Sequence, residues 1–137
     1  MEPLTKIQPK LRKNFFNIFK NIRNKLNNQI SIIEDTRKNL DNKEYISNMI
    51  TFLINSILKI VQDLNKYDID IIEQYMPELN SNWLSELIEE ITFKFITNRT
   101  DLHYGNLGLT HYNKLRYFDP THNEERSGDR EIWIGGN

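Results

Sequence analysis

Residues 101–120 read DLHYGNLGLTHYNKLRYFDP, and what this stretch builds decides how the rest of the chain is understood. Leu107-Gly-Leu109 and Leu115-Arg-Tyr-Phe118 are short β-like runs joined by Thr110-His-Tyr-Asn-Lys114, a pattern that predicts a hairpin. Asp101, His103 and Asn106 fall in the loop before it, and Asp119 closes its second strand. A hairpin returns its far end to the level of its start, so Asp119 is expected beside Asn106. Two carboxylates, an amide oxygen and an imidazole would then gather near one point. Gly105 permits the tight turn that aims Asn106 inward. Hard cations such as Mg2+ take oxygen ligands and keep several waters. Asn106 and Asp119 would supply one oxygen each and leave positions for phosphate oxygens. Asp101 would orient an acceptor hydroxyl and take its proton, the arrangement phosphoryl transfer requires.

Upstream of this stretch the pattern is helical. From Pro9, suited to a first helical turn, the residues Leu11, Phe15, Ile18, Phe19, Ile22, Leu26, Ile30 and Ile33 recur at steps of three and four. They predict one long helix over 9–39, packed on one side. Asp41 with Glu44 reads as a capping box opening a second helix over 42–65. Apolar residues cover most of that helix's circumference, so it is expected to be central and most buried. A short helix over 68–76 would end before Pro77. Ser81 or Asn82 would cap a fourth helix reaching 97, with Trp83, Leu84, Leu87, Ile88, Ile91 and Phe95 inward. Trp83 therefore reads as core. Residues 121–131 form a polar tail, after which Ile132-Trp133-Ile134 is expected to dock back on the body.

Composition bounds the rest. The 137 residues suit one domain, and 38% hydrophobic with 27% charged residues is ordinary for a globular chain. The domain over 1–137 divides into an amphipathic helix (1–40), a helical core (41–97), the loop and hairpin (98–120) and the tail (121–137). Without Cys there are no disulfides, thiolate metal sites or cysteine nucleophiles. The apolar run from Ile46 to Leu64 is too interrupted by polar residues to span a bilayer, and no secretory signal opens the sequence, so a cytoplasmic location is expected. A net charge of −1 makes a nucleic-acid partner an unfavoured expectation. That balance is unevenly spread. Residues 1–30 carry seven Lys or Arg against Glu2, and residues 66–95 carry seven acids against Lys66 and Lys94. The basic end could touch anions (nucleic acid, anionic lipid or an acidic partner), but it reads first as a solvated helix face, or one packed near the acidic middle. His103, His111 and His122 match no zinc spacing.

Asp101-Leu-His103-Tyr-Gly105-Asn106-Leu, followed by a hairpin and Tyr117-Phe118-Asp119-Pro120, resembles the catalytic loop and metal-binding strand of the aminoglycoside phosphotransferase and choline kinase branch of kinase-like proteins. A short phage-encoded kinase-like protein would fit that resemblance. It implies Asp101 as catalytic base, Asn106 and Asp119 as metal ligands, and His103 as a loop-shaping or phosphate-side residue. It implies Mg2+ and ATP as cofactors. The fold class expected from it is α+β, mainly α: a reduced protein-kinase-like C-terminal lobe of about four helices plus a small β-hairpin. Two departures stand out. Arg99 occupies the position two before Asp101 where the family carries His. Residues 1–97 contain no Gly and no alternating strand pattern, so the lobe that clamps the nucleotide is missing. The expected function is a phosphotransferase-like protein that a partner chain completes. The alternative is a pseudokinase-like interaction protein that binds another macromolecule. Its partner would be a second protein, or a second copy meeting through the N-terminal helix or Trp133.

Overall fold

The computed structural model describes residues 9–97 and the backbone of three short strands at 107–110, 115–117 and 131–133. Residues 9–97 form a bundle of five α-helices with no strand among them: α1 (Arg12–Asn28), α2 (Ile30–Lys38), α3 (Lys43–Leu64), α4 (Lys66–Tyr75) and α5 (Trp83–Ile96). A single 3-10 turn, Pro9–Leu11, leads into α1.

This corrects the expected fold class. The body is an all-helical bundle of five helices, not an α+β lobe of four helices with a hairpin attached. Beyond it, β1 (Leu107–Thr110) is the middle strand of three, in the order β2-β1-β3. Both β2 (Leu115–Tyr117) and β3 (Glu131–Trp133) pair with it antiparallel, so the expected isolated two-stranded hairpin is not found. The sequence from 121 to 131 carried no strand signal, and β3 adds to β1 through its backbone.

The extra helix comes from a break where one continuous helix was expected. Asn27, Asn28 and Gln29 follow one another, and side-chain amides compete with the backbone for its hydrogen bonds. At Gln29 the chain tightens: its N–H bonds to the Leu26 carbonyl, three residues back, while Ile33 resumes the helical step by bonding to Gln29. Asn39 ends α2 in the same way, through the Thr36 carbonyl. The cap of α3 lies one residue beyond the predicted Asp41. Asn42 stands at the N-cap, and its side-chain oxygen accepts from the Tyr45 N–H. Asn82 precedes α5 without a capping bond from its side chain.

The α1 stripe is core, as its spacing predicted. Leu11, Phe15, Ile18, Phe19, Ile22 and Leu26 are fully buried, together with Trp83, Leu87, Ile88 and Ile91 of α5. Each such side chain contributes about 1.5–3 kcal/mol on leaving water. With Phe15, Ile18, Phe19 and Ile22 inside the chain's own core, that stripe cannot also serve as a dimer seam. Trp83 is 1% exposed and meets Phe15 edge to face at 6.0 Å. Its indole N–H donates to Glu73 Oε2 at 2.9 Å.

The expectation for α3 does not hold. Ile50, Leu53, Ile57 and Val61 face the core, but Phe52 is 51% exposed and Leu64 63%. The helix is apolar around most of its surface, yet the bundle has elements on one side of it only.

A polar seam ties α1 to α4. Asn14, Asn17 and Asn21 share one face of α1, next to its apolar stripe. Asn14 Nδ2 donates to Asp68 Oδ1 at 2.7 Å, and Asn17 Nδ2 reaches the same carboxylate at 3.3 Å. The buried amide of Asn65 completes it, donating to Asp68 Oδ2 at 3.3 Å and accepting from Asn21 at 3.0 Å. Lys10 stands over Tyr75, Asn14 and Asn17 meet Asp68, and Asn21 meets Asn65, so α4 runs antiparallel to α1.

Candidate functional site

The helix that leads into the predicted loop is the best-anchored part of the bundle. In α5, Trp83, Leu84, Leu87, Ile88, Ile91 and Ile96 are all buried, and the helix packs against α1, α2, α3 and β2. The last carbonyls of any helix lack partners of their own. Here Arg37 of α2 takes two of them. Its Nε donates to the Ile96 carbonyl at 3.0 Å and its Nη2 to the Phe95 carbonyl at 2.6 Å, with the guanidinium 5.7 Å from the centre of the Phe95 ring. A cation at a helix C-terminus also meets the negative end of the helix dipole. Thr97 Oγ1 bonds to the Phe93 carbonyl at 3.0 Å. The chain thus leaves α5 at a fixed point, five residues before Asp101.

Asp101, His103, Asn106 and Asp119 lie outside the described residues, as do His111 and His122. The backbone next to them is described: Leu107 pairs with Tyr117, Gly108 with Arg116 and Leu109 with Leu115. Among the described residues no group of three or more His, Asp or Glu could hold a metal ion. No described helix is long and apolar enough to cross a membrane.

Two grooves flank α3. One, of about 350 Å3, lies between α2 and α3 and is lined by Ser31, Ile32, Asp35, Tyr45, Met49 and Phe52. At its rim the Tyr45 hydroxyl donates to Asp35 Oδ2. That hydrogen bond to the carboxylate, with smaller contributions from burial and the nearby negative charge, raises the phenol above its ordinary value of 10.0. The other, of about 470 Å3, lies between α3 and α5, with Leu40, Ile46, Ile50, Ile54 and Phe93 as its apolar wall and Lys43 and Glu89 at its edge.

The sequence reading missed the Asp68 seam, the Arg37 anchor and both grooves. The first had a signal: Asn at 14, 17 and 21 is a one-face spacing of the same kind as the apolar stripe. Arg37 carried a weaker one, a basic residue in a helix's last turn. Compared with protein-family models, curated proteins and solved structures, the chain matches none. The resemblance of residues 101–120 therefore stands on those residues alone.

Proposed function

We propose that the chain is a phosphotransferase-like protein that binds Mg2+ and the phosphates of a nucleoside triphosphate through the segment 101–119, with a partner chain enclosing the base. The pairing of Leu107 with Tyr117 carries this reading. Asn106 directly precedes Leu107, and Asp119 comes two residues after Tyr117. In sequence, then, neither is more than two residues from that strand pair. The donor set suits the metal: one carboxylate and one amide oxygen are hard ligands, and they leave most of the coordination sphere to water and phosphate. Bound there, Mg2+ would neutralise phosphate charge.

The residues would divide the remaining work. Asp101 would accept the proton of the acceptor hydroxyl as that oxygen bonds to phosphorus. His103 would hold the loop or donate to a phosphate oxygen. Because phosphoryl transfer depends mainly on position and charge, a fixed entry to the loop matters. Arg37 and the buried face of α5 supply that entry. The described body provides no lobe to enclose a base, which is why a second chain enters the proposal.

Titration calorimetry with Mg-ATP on the wild type and Asp119→Ala tests this. Heat from the wild type that Asp119→Ala abolishes supports the site. Equal heats, or none from either protein, overturn it.

A second reading is a non-catalytic interaction protein. The exposed Leu40 and Phe93, which line one groove beside α3, favour it, since neighbouring apolar side chains left in water commonly mark a contact surface.

A further inference from the structure

The three faces of α1 have different work to do. Its apolar face is spent on the core, with Phe15, Ile18, Phe19, Ile22 and Leu26 at 0–1% exposure. Its amide face is held by Asp68 and Asn65 of the neighbouring segment. The third face looks outward. At about 100° per residue, Arg12, Lys13, Phe16, Lys20, Arg23, Asn24 and Asn27 all fall within an arc of about 120°. All seven are exposed, and α1 contains no Asp or Glu. Four cations thus line roughly 16 Å of a helix that packing and hydrogen bonds hold in place.

One aromatic ring sits among these cations, and a second stands beside Lys10 in the turn that precedes α1. Phe16, 40% exposed, has the Lys20 ammonium 5.9 Å from its ring centre. Tyr75 of α4, 41% exposed, has the Lys10 ammonium 3.6 Å from its ring centre. Cations that follow a phosphate backbone, interleaved with aromatic faces on which bases stack, are what proteins use to bind single-stranded nucleic acid.

We propose that the outward face of α1 binds single-stranded nucleic acid. The chain's net charge of −1 does not oppose this, because no acid stands between Glu2 and Glu34, which leaves α1 uniformly basic. An anionic membrane is the poorer fit. An interfacial helix inserts a broad apolar face, and every apolar residue of α1 except Phe16 is already buried. An acidic protein would meet the cations but has no use for the paired aromatic rings. This proposal is independent of the phosphotransferase reading, which concerns residues 101–119.

Fluorescence anisotropy of the full chain with a labelled oligo(dT) of about twenty nucleotides tests it. Binding is expected at low salt, with log affinity falling against log salt at a slope of roughly −2 to −3, the value for about four phosphate contacts on a single strand. Lys13→Glu combined with Lys20→Glu should weaken binding at least tenfold without lowering the melting temperature. Phe16→Ala should weaken it several-fold while leaving the salt slope unchanged, a split that a purely electrostatic surface would not give. Asp119→Ala should bind the oligonucleotide like the wild type, which separates this proposal from the nucleotide site. No binding at low salt overturns the proposal, and so does binding that neither variant weakens. Competition by polyglutamate as effective as by oligo(dT) would replace it with an acidic protein partner. Tighter association with phosphatidylserine vesicles than with oligo(dT) would replace it with a membrane surface.

Discussion

Replacing Asp68 with Ala should cost the fold about 2–4 kcal/mol. The carboxylate accepts from three side-chain amides, those of Asn14, Asn17 and Asn65, at 2.7–3.4 Å. Water can reach the partly buried Asn14 and Asn17 once the acid is gone, so each contributes about 0.5 kcal/mol. Asn65 is 3% exposed, and its amide would lose an acceptor where water does not easily enter, at about 1–2 kcal/mol. Asp68 also stands in the first turn of α4, where a negative charge contributes about 0.3–1 kcal/mol against the helix dipole. Urea unfolding followed by circular dichroism reads the sum: the midpoint should fall with an unchanged slope, since the same surface is exposed on unfolding. Asp70→Ala is the control, an exposed acid on the same helix, and should change stability by less than about 0.5 kcal/mol. A cycle pairing Asp68→Ala with Asn14→Ala should show coupling of about 0.5–1 kcal/mol. If Asp68→Ala costs no more than Asp70→Ala, the seam is decoration and the antiparallel docking of α4 rests on Ile72 and its apolar neighbours alone.

Other perturbations follow from the same geometry. Arg37→Met should lose about 1.5–2 kcal/mol and speed amide exchange in the last turn of α5, because the Phe95 and Ile96 carbonyls lose their donors. Thr92→Val should be neutral or stabilise by up to about 1 kcal/mol in thermal unfolding, since the buried Thr92 hydroxyl has no partner among the described residues. Tyr45 should titrate above the ordinary tyrosine value, read by NMR of ring-labelled protein, and Asp35→Asn should bring it back down. A raised phenol pKa favours the fold below the ordinary value and stops doing so as pH climbs past the raised one, so stability should decline at strongly alkaline pH and decline less in Asp35→Asn. Phe52→Ser should leave the stability of a monomer within about 0.5 kcal/mol of wild type, because that ring is half exposed. A larger loss that depends on protein concentration would show instead that Phe52 is covered by a second copy.

How much of this was legible depended on whether local chemistry or tertiary packing decided the outcome. The helical segments of α3, α4 and α5 were readable because apolar spacing is a local signal, and their ends fell within one or two residues of the expected ones. Trp83 was readable as core for the same reason. The break at Gln29 was also written locally, in three consecutive amide residues, but a continuous apolar stripe across them outweighed that signal. The burial of α3 could not be read, because a wide apolar arc says what a helix can bury and not what stands beside it. Phe52 and Leu64 are apolar and exposed since no element of the bundle covers them. The pairing of β3 with β1 is a long-range backbone event, and Glu131-Ile132-Trp133 is too short to announce a strand. At the candidate site the sequence offers an ordered set of residue types, and those residues lie outside the described part of the chain. The anchor that fixes its approach was not legible, because Arg37 lies far away in sequence from the carbonyls it meets.

The two proposed sites would each ask the bundle for a rigid support, at different places, and its construction suits both. Residues 101–119 need a fixed point of entry, and α5 provides one by burying nearly a full face and handing its terminal carbonyls to Arg37. A surface for a flexible polyanion needs cations held by a rigid support, with nothing of opposite charge on the same element. In α1 the apolar face and the Asn face are both occupied within the chain, so the basic face can be neither turned inward nor used for packing. A surface helix under no such demand would more economically mix acids with its lysines, gaining about 0.2–0.5 kcal/mol per favourable pair. The absence of any acid along all of α1, in a chain with as many acids as bases to within one residue, is therefore the feature that a purely structural role for this helix leaves unexplained.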